Sequence, residues 1–210
     1  MNKKASGVKA FNTVGVVLAM SGIMTACTIF PKPEAPRVMD FPVPASLQHD
    51  GNIRPQSLRI DTPTASEPYN SSRILAKPEP WEFRVYGGVR WRDTSPIILR
   101  DMLVGAFRAG SDFRDVSTDS SPANTDLTLA TEITAFHAIT QGDNTRATVA
   151  IYGQLIDNHS RATLCSKRFI ASIPARDKRI ESVVKAFGSA GQKLAEEVIE
   201  WSETCDARPD

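Results

Sequence analysis

The chain has 210 residues, with 25 Lys and Arg against 24 Asp and Glu, for a formal charge of +1. So even a balance supplies no basic face for nucleic acid, and that class of partner is excluded. Three cysteines and 41% hydrophobic residues set the other bounds: one domain with a real core, few thiols, and room for an extended tail.

The N-terminus is organised differently from the rest. Lys3, Lys4 and Lys9 occur with no acid, and an apolar run from Val14 to Met20 follows. A basic start, an apolar stretch and small residues before a cut mark a secretory signal. An uncleaved spanning helix would need about 20 mainly apolar residues, and Thr13, Ser21, Gly22 and Thr25 interrupt this run. The segment Met24-Thr25-Ala26-Cys27 resembles the bacterial lipoprotein signal, departing from it at Met24, where Leu is usual. That resemblance implies cleavage before Cys27 and a Cys27 carrying S-diacylglycerol on its thiol and an acyl chain such as palmitate on its amine. One acyl chain, at about 0.8 kcal/mol per buried methylene, holds a protein marginally; two or more hold it stably. Thr28 stands where an Asp would favour inner-membrane retention, so the expected address is the periplasmic face of the outer membrane of a Gram-negative bacterium. Cleavage leaves 184 residues and, with three lysines gone, a formal charge of −2.

Four segments are expected: a signal peptide over 1–26, a Cys-anchored Pro-rich tether and first edge segment over 27–56, a folded domain over 57–205, and a tail over 206–210. Six prolines fall in residues 28–56. Residues 28–38 read as the tether, able to span at most about 34 Å at roughly 3.1 Å per residue. Phe41-Pro42-Val43-Pro44 reads as an edge segment, where proline is tolerated.

Leu58-Arg59-Ile60 and Arg73-Ile74-Leu75 are expected strands. Trp81 to Trp91 alternates apolar and polar residues around Gly87-Gly88, which reads as a hairpin turn or bulge. Thr94 as N-cap, Pro96 in the first turn and Leu99, Leu103, Ala106 and Phe107 at helical spacing predict a helix ended by Gly110 and Ser111. Phe113–Val116 reads as a short strand. Leu127, Leu129, Ile133, Ala135 and Ile139, then Ala147, Val149, Ile151 and Leu155, alternate on either side of Gly142-Asp143-Asn144, predicting a long hairpin with one buried face. A third strand over 162–173 makes it a meander. Ile180, Val183, Val184, Phe187, Leu194, Val198 and Trp201 form one stripe of a closing helix, with Lys185, Lys193, Glu196, Glu197 and Glu200 mostly off it. The expected class is α+β: a mainly antiparallel sheet with two amphipathic helices on one face.

Cys165 and Cys205 follow from this layout as candidate partners. Strand from Cys165 covers about 30 Å and the returning helix about 36 Å, so the helix end should come back near Cys165. A disulfide closing that loop would contribute about 4 kcal/mol; two free thiols, one in the core and one on a frayed tail, are the alternative.

Catalytic chemistry is not legible. His49 lies in the Pro-rich region and His159 in a turn, while His137 reads as a hydrogen-bonded histidine on the apolar face of its strand. Neither HExxH nor GxSxG occurs, Asp93 and Asp101 read as helix-start acids, and Gly87-Gly88 lacks the Lys of a phosphate loop. No metal or cofactor is expected, and no enzyme. Trp91 and Trp201 read most simply as core or rim; Trp81, Tyr86 and Trp91 are together the candidate partner surface.

The order of these features resembles the ABC-type transport auxiliary lipoproteins, the PqiC-like components of Mce and ABC lipid-transport systems. Carrying the resemblance are the lipid-attachment segment, the strands near Leu58–Ile60 and Arg73–Leu75, and Arg90-Trp91-Arg92-Asp93. The helix beginning Pro96-Ile97-Ile98-Leu99, the strand Phe113–Val116, the meander ending Lys167-Arg168-Phe169-Ile170-Ala171, and the helix ending in Trp201 complete it. It covers roughly residues 58–202, departing at Trp91-Arg92-Asp93, where a small residue and Glu are usual after Trp. The resemblance implies a non-enzymatic lipoprotein that accompanies a transporter of phospholipids or other hydrophobic compounds. It further implies a membrane contact through the lipid anchor and docking on an Mce-domain protein, an ABC permease and ATPase complex, or copies of itself. A cell-envelope scaffold or regulator, such as a peptidoglycan-synthase activator or TolB-like adaptor, and a lipid carrier with its own apolar cavity are the competing readings.

Overall fold

In chain order the elements are β1 (Arg37–Met39), β2 (Arg54–Ile60), β3 (Leu75–Glu79), β4 (Glu82–Val85), β5 (Val89–Trp91), α1 (Ser95–Gly110), β6 (Phe113–Thr118), β7 (Leu127–Gln141), β8 (Asn144–Asp157), β9 (Thr163–Pro174) and α2 (Ile180–Asp206). They come from a computed structural model that describes residues 34–40 and 54–206. The signal segment, Cys27, His49, the Phe41–Pro44 segment and the tail beyond 206 lie outside the described residues. Arg37 and Val38 belong to β1, which pairs in parallel with β5, so two residues read as tether are strand.

The longest ladders are antiparallel: β7 pairs with β8 from end to end, and β8 with β9. Gly142, at φ +59°, supplies the left-handed turn residue between β7 and β8 that a tight hairpin requires. The other flank of β7 is shared. Its first part pairs in parallel with β2, which also pairs in parallel with β6, and its last part meets β3, which carries β4. The class is α+β with a mostly antiparallel sheet. Both helices lie on one face, α2 over β8 and β9, α1 over β2 and β6, touching each other between.

Three local expectations need correction. Gly87-Gly88 does not close a hairpin: β4 pairs with β3 around the turn at Pro80-Trp81, while β5 pairs with β1. Gly88 at φ +68° instead turns the chain out of the main sheet. Strand β3 begins at Leu75 and runs through Pro78, where its register with β4 shifts, so Arg73 and Ile74 only lead into it. The odd-position alternation of β7 breaks at a bulge between Ile133 and Ala135. One extra residue exchanges the two faces of a strand. Phe136 and Ala138 therefore join the core, and Ala135, His137 and Ile139 turn to the helix-free face.

The core lies between helices and sheet. Trp91, fully buried, meets Phe136 and Phe187 edge-on at 5.8 and 5.3 Å, the T-shaped geometry aromatic quadrupoles favour. Gly153 has no Cβ to obstruct Phe169, whose ring would stand 3.2 Å from one; Phe169 in turn packs edge-on against Trp201.

Candidate functional site

The helix-free face of the sheet carries the unusual side chains. Because the bulge turns His137 outward, it meets Tyr69 from the loop before β3 and Phe83 from β4. The Tyr69 hydroxyl shares a hydrogen bond with His137 Nδ1 at 2.9 Å. The Tyr69 and His137 rings stack at 5.9 Å, and Phe83 closes edge-on at 5.6 Å from Tyr69 and 5.8 Å from His137. Lys77 Nζ lies 5.0 Å above the Phe83 ring, a cation–π contact. His137 is 5% exposed, and burial, reinforced by the Lys77 charge, lowers its pKa to about 4. It is a neutral hydrogen-bonding histidine at neutral pH, placed on the face opposite the one its sequence pattern indicated.

Beyond this cluster the face opens. Tyr152 on β8 and Leu164 and Ile170 on β9 project into solvent, Leu164 at 41% and Ile170 at 62% exposure. Among the described residues β9 pairs only with β8. Its outer flank is a twelve-residue edge whose backbone groups are available to another strand. Phe169 and Ala171, the alternate residues, are buried under α2. The arrangement can bind another protein or an apolar surface through backbone pairing and side-chain burial.

The expected partner surface divides. Trp81, at the tip of the β3–β4 hairpin, is 81% exposed. Tyr86 is half-buried against the core, and burial raises its phenol pKa. Trp91 is wholly inside the core and offers no surface, because β5 leaves the main sheet and turns the indole under α2. Sequence reasoning missed Tyr69, Phe83, Leu164 and Ile170. For β9 a signal existed: with Phe169 and Ala171 buried, strand alternation puts the apolar Leu164 and Ile170 on the opposite face.

Cys165 on β9 and Cys205 in the last turn of α2 form a disulfide with Cα atoms 6.0 Å apart. Asp93 accepts a hydrogen bond from the Thr94 amide at 2.7 Å. Burial alone would raise the Asp101 pKa, but hydrogen bonds from Arg92 and Arg100 outweigh it and hold the carboxyl below its usual range. His159 is exposed in the β8–β9 turn, 3.5 Å from Asp126. Asp126 itself joins β2 to the start of β7, accepting from the Ser57 amide at 2.8 Å and hydroxyl at 2.7 Å. These bonds lower its pKa to about 2. Among the described residues no three His, Cys, Asp or Glu side chains gather as metal ligands, and no helix is long and apolar enough to cross a membrane.

A family model described as the ABC-type transport auxiliary lipoprotein component matches residues 40–199. Among solved structures, a Xanthomonas campestris protein of the DUF330 family, which is this same family, superposes with a TM-score of 0.68 at 25% identity. The match covers 82% of this chain and 94% of that one. An uncharacterized protein superposes with a TM-score of 0.61 at 12% identity, covering 80% and 98%, and that likeness concerns fold alone. No curated protein matches. With three-quarters of its length inside the family model, the chain belongs to the family of ABC-type transport auxiliary lipoprotein components.

Proposed function

We propose that this chain is a non-enzymatic docking lipoprotein, held at the periplasmic face of the outer membrane by acylated Cys27. It accompanies an ABC or Mce-type system that moves phospholipids or other hydrophobic compounds and so supports envelope integrity. The family match over residues 40–199 carries the reading, and the open β9 edge with Leu164 and Ile170 beside it supplies the surface. A partner strand laid along β9 would satisfy its unpaired backbone groups and cover the exposed apolar side chains. The Mce-domain protein is the proposed occupant, with the permease and ATPase complex beyond it. The proposed oxidising compartment suits the Cys165–Cys205 bond, since periplasmic proteins retain disulfides.

The test is crosslinking in cells followed by identification of the captured protein, beside a Cys27→Ser chain fractionated for membrane association. Capture of a transporter component, and release of the Cys27→Ser chain from the membrane fraction, are the expected results. Capture of a penicillin-binding protein instead would transfer the chain to the scaffold reading.

A further inference from the structure

The strand registers gather several separate features at one end of the domain. Strand β3 runs parallel to β7 with Ala76 beside Ala138, so the β3–β4 tip bearing Trp81 reaches the level of the Gly142-Asp143 turn. Strand β9 finishes there as well, with Pro174 opposite Arg146. Lys178 pairs with Asp143 at 3.0 Å just before α2 begins. Arg37, the first residue of β1, pairs with Glu181 in the first turn of α2 at 2.9 Å. The chain arriving from Cys27 therefore enters the domain at this end. Only residues 28–36 separate Cys27 from Arg37, a span of at most about 36 Å at full extension.

The chemistry of this end differs from that of the rest. Among the described residues Trp81 is the most exposed of the large hydrophobic side chains. A cleft of about 280 Å³ opens between the end of β9 and the start of α2, with Arg176, Arg179 and Lys185 in its lining. Acids are interspersed: Arg176 and Arg179 share Asp177 at 3.7 and 3.2 Å, Glu181, also in the cleft lining, pairs with Arg37, Asp143 with Lys178 and Glu82 with Arg84, while Glu79 stands near Arg84. Along α2, Glu181 in the first turn suits the helix dipole, Lys185 follows in the second turn, and Glu200 and Glu203 stand near the end, whose last turn holds no basic residue.

We propose that this end of the domain docks on the phospholipid headgroup layer that holds the Cys27 anchor. Trp81 lies at the boundary of water and acyl chains, where tryptophan is favoured. Arg176, Arg179 and Lys185 outnumber the Asp177 that the two arginines share and face headgroup phosphates, since anionic lipid attracts such residues at short range. The inference rests on the lipid-bearing Cys27 of the proposed function. A tether this short keeps the surface within reach of the membrane, and the acidic end of α2 and the disulfide are then turned away from it.

The test uses the full chain matured in cells, purified with its anchor and reconstituted into vesicles of phosphatidylethanolamine and phosphatidylglycerol carrying bromine-labelled acyl chains. Quenching of tryptophan fluorescence is the readout, with the mass of the N-terminal peptide reporting acylation separately. Trp91 is buried and Trp201 half-buried, so the quenched signal is expected to be lost in Trp81→Phe. It is expected to weaken in the Arg176→Glu, Lys185→Glu double variant and at high salt. Vesicle-bound chain with acylated Cys27 but an unquenched Trp81 would overturn the docking and leave the anchor standing. A Cys27 without acyl groups would overturn the anchor, and the docking with it.

Discussion

The two faces of the sheet are built from the same strands and do opposite work. Under the helices, Trp91, Phe136 and Phe187 interlock, and Phe169 packs against Trp201, in a layer where all but the half-buried Trp201 are closed to water. On the other face, the Tyr69, Phe83 and His137 cluster covers one region, and Tyr152, Leu164 and Ile170 stay exposed. Burying a large apolar side chain contributes about 1.5–3 kcal/mol, so leaving several in water forgoes stability that the covered face has already gained. The difference separates the residues that hold the fold from those available to a partner.

Substitutions can break that separation, and the covered face should respond most. Trp91→Ala is expected to lower unfolding stability by about 3–5 kcal/mol, read as a fall in the urea midpoint with the slope unchanged. A loss below about 1 kcal/mol would mean that the core is not centred on this indole.

The disulfide fastens the same face from its edge. Replacing Cys165 and Cys205 together with Ser is expected to cost about 4 kcal/mol through the loop of 40 residues, and reducing agent should lower the midpoint of the parent chain but not of the variant.

The bare face has its own pH signature. His137 in the folded chain takes its proton only near pH 4, whereas the unfolded chain takes it near the ordinary value of about 6.5. Between those values the unfolded state binds more protons, so stability falls as pH falls through the window. The loss from this one group is of order 3 kcal/mol by pH 4. The His137→Gln variant should show a correspondingly shallower decline between pH 6.5 and 4. An identical decline in both chains would place the titrating group elsewhere.

Most of the fold is written locally. The 3.6-residue stripe of α2 and the alternation in β8 name their core residues directly, because each element buries one face. What stays hidden depends on partners distant in the chain. The β7 bulge opposite Ile151 and Ala150 leaves no mark in composition, yet it decides that Phe136 is core and His137 is not. The fate of Trp91 depends on β5 leaving the main sheet for β1, a pairing across some fifty residues that no short motif announces. Of the candidate surface, Trp81 was legible as an aromatic in a hairpin region. Leu164 and Ile170 become legible once Phe169 and Ala171 are known to be the buried residues of β9.

The smallest stability effect should belong to the residue with the largest consequence for binding. Ile170→Asp is expected to move stability by no more than about 0.5 kcal/mol, since the side chain is mostly in solvent, while removing an apolar contact from the β9 edge. Position-specific photocrosslinking in cells then tests the central claim most directly, with a reactive residue at Ile170 and a control at Glu196, exposed on α2. Capture of an Mce-domain or other transporter component from Ile170 and none from Glu196 is the predicted result. Equal capture from both positions, or capture of a cell-wall enzyme from Ile170, would contradict it.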